Sequence, residues 1–183
     1  MKQRELVIAV DTREQRPIHY LDGREISKGV TVRYESIPLY VFDYACKCSM
    51  EPSSGKLMMP DFAIERKSLQ DLISSLFNAE NFERELIKID KARRIWGDAG
   101  LPIMYVVEGD YEAIGAYDYS RFPSGRVTAK AVVSKINEMR YRHNVHMILC
   151  RSNIQAEYCI VSLLKKHWMR VRFRKAIKDN GGN

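Results

Sequence analysis

The sequence predicts an α/β fold in which helices flank a mixed central sheet. Three observations carry this. Short, nearly continuous apolar runs such as Leu6 to Val10 and Ile103 to Val107 have the length of buried strands. The first third of the chain is a series of strand-like segments broken by Gly and Pro turns. From Ser68 onward, segments with helical spacing alternate with strand-like ones, the pattern of helices packed on a sheet.

Taken in order, Glu5 to Val10 reads as a buried strand that delivers Asp11 to a loop. Thr12 to Gly29 is polar and holds Pro17, Gly23 and Gly29, so it reads as a loop. Val30 to Ile37 alternates with the period of a half-buried strand. Leu39 to Cys46 is rich in β-formers, Pro52-Ser53-Ser54-Gly55 marks a turn, and Phe62 to Arg66 is a third strand candidate, giving two or three antiparallel strands. Ser68 caps a helix over Leu69 to Phe77, with Asp71 near its positive end. A second helix starts at Asn81, turns Phe82, Leu86, Ile89 and Ile95 inward, and stops at Gly97. After the strand ending at Glu108 come a helix over Arg126 to Arg142, a short strand over Val145 to Leu149, and a long helix from Ile154 to about Arg174.

The composition bounds the function classes. The chain has 183 residues, 30 Lys plus Arg, 23 Asp plus Glu, a net charge of +7 and 45% hydrophobic residues. That is the size of one ordinary domain and too apolar for a disordered chain. No run approaches the ~18 apolar residues of a membrane helix, so no membrane partner is expected. Met1-Lys2-Gln3-Arg4-Glu5 leads into a strand without a signal-peptide stretch, and four cysteines without a CxxC pair read as reduced thiols. The expected location is intracellular: cytoplasmic in a prokaryote or its virus, nuclear in a eukaryote. The charge is concentrated at one end: Lys165 to Asn183 holds seven basic residues and one acid, leaving 23 basic and 22 acidic residues on the other 164. The expected organisation is a body over 1–169 and a basic tail over 170–183. Arg170, Arg172, Arg174 and Lys175 suit a polyanion such as nucleic acid.

The densest chemical signal is Glu65-Arg66-Lys67 at the end of a strand. Alternation puts Glu65 and Lys67 on one face, roughly 6.6 Å apart along the strand, and turns Arg66 to the other. A carboxylate beside an ammonium serves a divalent metal and a scissile phosphate together. Asp61, four residues upstream, would lie about 13 Å away on an extended strand, too far to share an ion with Glu65. Asp43 is the better partner, because hairpin pairing can bring it opposite Glu65 at about 5 Å. Asp11 and Glu14 could add oxygen ligands.

These residues also form a series. Val10-Asp11-Thr12-Arg13-Glu14, then Leu39-x-Val41-Phe42-Asp43-Tyr44, then Ile64-Glu65-Arg66-Lys67-Ser68-Leu69-Gln70-Asp71-Leu72, then Val106-Val107-Glu108-Gly109, resembles the nuclease domain of the XPF family of structure-specific DNA endonucleases. The resemblance implies a restriction-endonuclease-like fold and Mg2+ or Mn2+ as cofactor. It implies Asp43 and Glu65 as metal ligands with Asp11 and Glu14 nearby, Arg66 and Lys67 at the phosphate or the water, and Asp71 closing the site. Arg13 joins the tail as a DNA contact. Branched or flap-like DNA is the implied substrate, and a second copy or a related nuclease-domain subunit the implied partner. The competing readings are a non-catalytic DNA-binding or scaffold subunit, and a restriction- or resolvase-type nuclease on the same fold. The chain departs from the family where Phe42 stands for a usual Gly, where 47–60 forms an insertion, and where Asn78-Ala79-Glu80-Asn81 replaces an Asp-Gly-Arg-like turn and leaves Arg84 as the nearest substitute. Many relatives continue into a helix-hairpin-helix module, and a stand-alone form without it is the expectation here.

Overall fold

The apolar run near the start of the chain is an interior strand. In the computed structural model, which describes residues 4–53, 56–96, 101–122 and 125–180 (178–180 by backbone only), β1 (Arg4–Val10) lies between β3 (Val30–Ser36) and β4 (Tyr44–Cys46). Ile8, Ala9 and Val10 are all buried, so both faces of β1 are covered, as its unbroken apolar character requires. β3 alternates because only one of its faces is covered. The expected antiparallel group is split here: β1 lies between β3 and β4, pairing with β3 in parallel, Arg4 opposite Val30, and with β4 antiparallel, while β2 (Glu25–Ser27) pairs antiparallel with β3. A parallel neighbour needs a crossover, and the polar stretch 12–29 supplies it.

The chain forms two units, one made of the residues up to Ile64 and from Glu157 onward, the other Glu65–Ala156. In the first, the strand order is β2-β3-β1-β4-β7, and β7 (Ala63–Ser68) pairs antiparallel with β4 through Tyr44↔Ile64 and Ala45↔Ala63. Only Tyr44–Cys46 of the expected strand over 39–46 is extended. Phe42 breaks it with φ 62°, the left-handed region where the family's Gly would sit without strain. The 47–60 insertion begins with a 3₁₀ turn, Lys47–Ser49, and continues as a hairpin of β5 (Met50–Pro52) and β6 (Met58–Pro60), a separate two-stranded sheet. Its expected turn includes 54–55, outside the described residues. Asp61, rejected as a ligand, pairs with the buried His167 at 2.8 Å.

In the second unit, β7 continues beside β8 (Ile103–Glu108) and β9 (Val145–Cys150), which run parallel with Ile103 opposite Val145. α1 (Leu69–Phe77), α2 (Ala79–Trp96), α3 (Tyr111–Ala116) and α4 (Ala129–His143) complete it. Ser68 caps α1 as expected. α2 starts two residues before the expected cap, and Asn78 accepts from the Asn81 amide at 3.0 Å, so Asn78 is the capping side chain. The inward stripe of α2 is Glu85, Ile89, Ala92 and Trp96, with Phe82, Leu86 and Ile95 partly exposed. The expected stop at Gly97 lies outside the described residues. α5 (Asn153–Asn180) runs through Asn180 with no break at 169/170. Ile160, Val161, Leu164 and Trp168 are buried, and Arg172 stacks on the Trp168 ring at 4.8 Å.

Candidate active site

β7 ends by turning into α1, which places Glu65-Arg66-Lys67 beside a strand-to-helix corner. Alternation separates the three as expected. Arg66 turns one way, and its Nε and one terminal nitrogen both donate to Glu108 Oε1, at 2.7 and 2.6 Å. Gly109, which follows Glu108, has φ 154°, and a Cβ there would come within 2.8 Å of Leu69 Cβ, so only glycine fits at this approach.

Glu65 and Lys67 turn the other way and are buried, 4% and 8% exposed. There they meet two α2 side chains that sequence reading did not assign to the site. Lys67 Nζ lies 2.9 Å from Glu85 Oε1, 3.4 Å from Glu65 Oε1 and 3.3 Å from Ser75 Oγ. Lys88 Nζ donates to Glu65 Oε1 at 2.7 Å and to Glu85 Oε1 at 3.1 Å. Two carboxylates and two ammonium groups thus alternate around a neutral ring, and Tyr105 donates to the other Glu85 oxygen at 2.8 Å. Burial pushes the Glu85 carboxyl up, but Lys67 and Lys88 outweigh it and hold it below the ordinary glutamate range. Burial likewise pushes Lys88 down, and Glu65 and Glu85 overcome it and raise it. Lys88 is thus drawn from the polar side of α2 into the ring. The available signal was the spacing: Glu85 extends the Ile89, Ala92, Trp96 stripe by one helical turn.

A cleft of about 320 Å³ opens beside this ring, lined by Lys67, Asp71, Ser74, Asn81, Arg84 and Lys88. Asp71 is tied to the helix start: its amide donates to Ser68 Oγ at 3.1 Å, and Ser68 Oγ donates back to its Oδ2 at 2.6 Å. Arg84 lines the cleft and is exposed.

The other expected acidic residues lie in the first unit. Asp43 precedes β4; its amide donates to the carbonyl of Ile64, the residue before Glu65 in the chain, at 3.1 Å, and its carbonyl accepts from the Asp11 amide at 2.8 Å. Asp11 is buried, and all four of its acceptor positions are occupied: Oδ1 takes the Arg13 amide and Nε at 2.7 and 2.8 Å, Oδ2 the Arg13 guanidinium and the Leu39 amide at 2.6 and 3.1 Å. Arg13 also reaches the Leu39 carbonyl at 2.7 Å, while its guanidinium stays largely exposed. Glu14 Oε1 accepts from the Arg16 amide at 2.8 Å. The Asp-x-Arg-Glu segment thus builds its own loop before it does anything else. Among the described residues no three His, Cys, Asp or Glu side chains are arranged to hold a metal ion.

A family model for the ERCC4 domain matches residues 10–163, and the chain belongs to that family. Two solved structures are similar in fold. XPF from Aeropyrum pernix matches at TM-score 0.52 and 19% identity, over 86% of this chain and 64% of that one. XPF from Aeropyrum pernix in complex with DNA matches at TM-score 0.54 and 16% identity, over 90% of this chain and 66% of that one. The chain therefore spans just under two thirds of the length of either. A search among curated proteins found no significant match.

Proposed function

We propose that the chain is a divalent-metal-dependent DNA endonuclease that hydrolyses phosphodiester bonds in branched or flap-like DNA. The observation that carries the reading is the buried Glu65 and Lys67 pair, held on one face of β7 by Glu85 and Lys88. Family membership supports the reaction class, and the similar structure solved with DNA supports the partner.

Glu65 offers a buried carboxylate, but its Oε1 is already engaged by the Lys67 and Lys88 ammonium groups, so a divalent cation would bind there only by displacing one of them. Asp43 and Glu65 are the residues that would hold Mg2+ or Mn2+. Asp11, whose side-chain oxygens are engaged by Arg13 and Leu39, would fix the Asp43 backbone through its own amide. When bound, the ion polarises the phosphoryl oxygen and makes attacking water more acidic. Lys67 orients that water or steadies charge developing on the phosphate. Arg66, locked on Glu108, fixes the strand end and lends positive charge to the approaching backbone. Asp71 and Arg84 border the cleft that admits the strand, while Arg13 and the α5 cations Arg170, Arg172, Arg174 and Lys175 neutralise flanking phosphates. Pairing with a second copy or a related subunit belongs to the same reading. Ile160, Val161, Leu164 and Trp168 are already buried, which leaves the exposed Met169, Phe173 and Ile177, one turn apart, as the side chains to make it.

The test is digestion of a labelled flap, a fork, a four-way junction and linear duplex with Mg2+. Cleavage of the flap or fork in preference to duplex is the expected result. Intact DNA binding without cleavage of any of them would instead establish a non-catalytic subunit, and preference for duplex or junction a restriction- or resolvase-type enzyme.

A further inference from the structure

The proposed chemistry makes no use of the densest thiol cluster in the molecule. β4 ends at Cys46, and the 3₁₀ turn that follows folds Cys48 back so that the two sulfurs lie 3.2 Å apart. A disulfide needs about 2.05 Å, so closing the bond takes a movement of about 1 Å. The two sites differ sharply: Cys46 is fully buried and Cys48 is exposed. Beside them, His167 shares its Nε2 between Asp61 at 2.8 Å and Ser49 Oγ at 3.3 Å.

This asymmetry gives the two sulfurs different chemistry. The hydrogen bond from Cys46 pulls the Cys48 thiol down to about 7, partial burial working against it and the charges of Lys175 and His167 helping. The same bond, together with burial, pushes the Cys46 thiol up. One sulfur is thus disposed to be a thiolate near neutral pH while its neighbour keeps its proton, the combination that separates an attacking from a resolving cysteine.

We propose that Cys46 and Cys48 form a peroxide-reactive dithiol, with Cys48 as nucleophile and Cys46 as resolving thiol. In the first step Cys48 Sγ attacks one oxygen of a hydroperoxide. The S–O bond forms and the O–O bond breaks; the leaving hydroxide or alkoxide takes a proton, and Cys48 becomes a sulfenic acid. In the second step Cys46 Sγ attacks Cys48 Sγ. The S–S bond forms, the S–O bond breaks, and the hydroxyl leaves as water with the Cys46 proton. Two thiols have then lost two electrons to one peroxide, which with hydrogen peroxide gives two waters. A dithiol such as reduced thioredoxin or dithiothreitol reverses the change by exchange.

The test treats the folded chain with hydrogen peroxide in reductant-free buffer, quenches with N-ethylmaleimide and follows each cysteine by peptide mass. The expected result is a Cys46 to Cys48 disulfide, a loss of two hydrogens per chain, formed at least tenfold faster than Cys150 or Cys159 is modified. Cys46→Ser should halt the reaction at a dimedone-reactive sulfenic acid on Cys48, and Cys48→Ser should leave Cys46 unmodified. Lys175→Gln, an exposed change remote from the fold's core, should slow Cys48 oxidation two- to threefold. Oxidation of Cys48 in the wild type no faster than that of Cys159 would overturn the proposal without any variant, as would a disulfide linking other cysteines.

Discussion

Replacing Glu85 by Gln keeps the side chain's shape and removes one charge from a ring of two carboxylates and two ammonium groups. The variant leaves Lys67 and Lys88 facing Glu65 alone, a net +1 at a largely buried site. Breaking a buried ion pair from one side costs about 3 to 5 kcal/mol. Lys88 is 40% exposed and can turn toward water, which brings the expected loss to about 2 to 3 kcal/mol, or roughly 5 to 10 °C in Tm for a chain of this size. Urea unfolding followed by the fluorescence of Trp96 and Trp168 measures it. The decisive comparison is the double variant Glu85→Gln/Lys88→Met, which restores neutrality around the Glu65 and Lys67 pair. It should be more stable than the two single losses add up to, by about 1 to 2 kcal/mol. The pH dependence has a definite sign. Glu85 is held below the ordinary value of 4.5, so its contribution is present above that value and fades as pH falls through the folded value; the gap between wild type and Glu85→Gln should close in acid. Additive single losses, within about 0.5 kcal/mol, together with a gap that persists in acid, would refute the ring as an energetic unit.

Four further outcomes follow. Glu65→Gln and Asp43→Asn should each abolish Mg2+-dependent cleavage while leaving DNA affinity, measured by fluorescence anisotropy, within a few-fold of wild type; undiminished activity would place the chemistry elsewhere. Gly109→Ala should cost about 1 to 3 kcal/mol in urea titration, because the new methyl meets Leu69 Cβ at 2.8 Å with φ at 154°. Phe42→Gly relieves a left-handed backbone worth about 1 kcal/mol but empties a buried aromatic site worth about 3 to 5, so a net loss of stability is expected. Changing Arg170, Arg172, Arg174 and Lys175 together to Gln should weaken DNA binding and flatten its salt dependence by about 0.9 log units per lost phosphate contact; an unchanged slope would show that the α5 cations do not touch DNA.

What the sequence disclosed was local. Ser68 announces its helix because a cap is a contact over three residues, and the continuous apolar runs became interior strands. The parallel pairing of β1 with β3 was hidden, since register between segments 26 residues apart is decided by the sheet and not by either segment. Leu39 to Asp43 has strand-forming side chains, yet the positive φ at Phe42 ends any extended run there. The miss that matters most is on α2. Sorting its residues by polarity placed Phe82 and Leu86 inside and the charged residues outside, whereas Glu85 is buried because Lys67, Lys88 and Tyr105 satisfy its two oxygens. Burial of a charge depends on partners from elsewhere in the chain, and here those come from β7 and β8 as well as from α2 itself.

The charge ring also bears on how such a domain changes over generations. Losing any one of Glu65, Lys67, Glu85 and Lys88 leaves the other three unbalanced, so substitutions here are tolerated in opposite-charge pairs far more readily than singly.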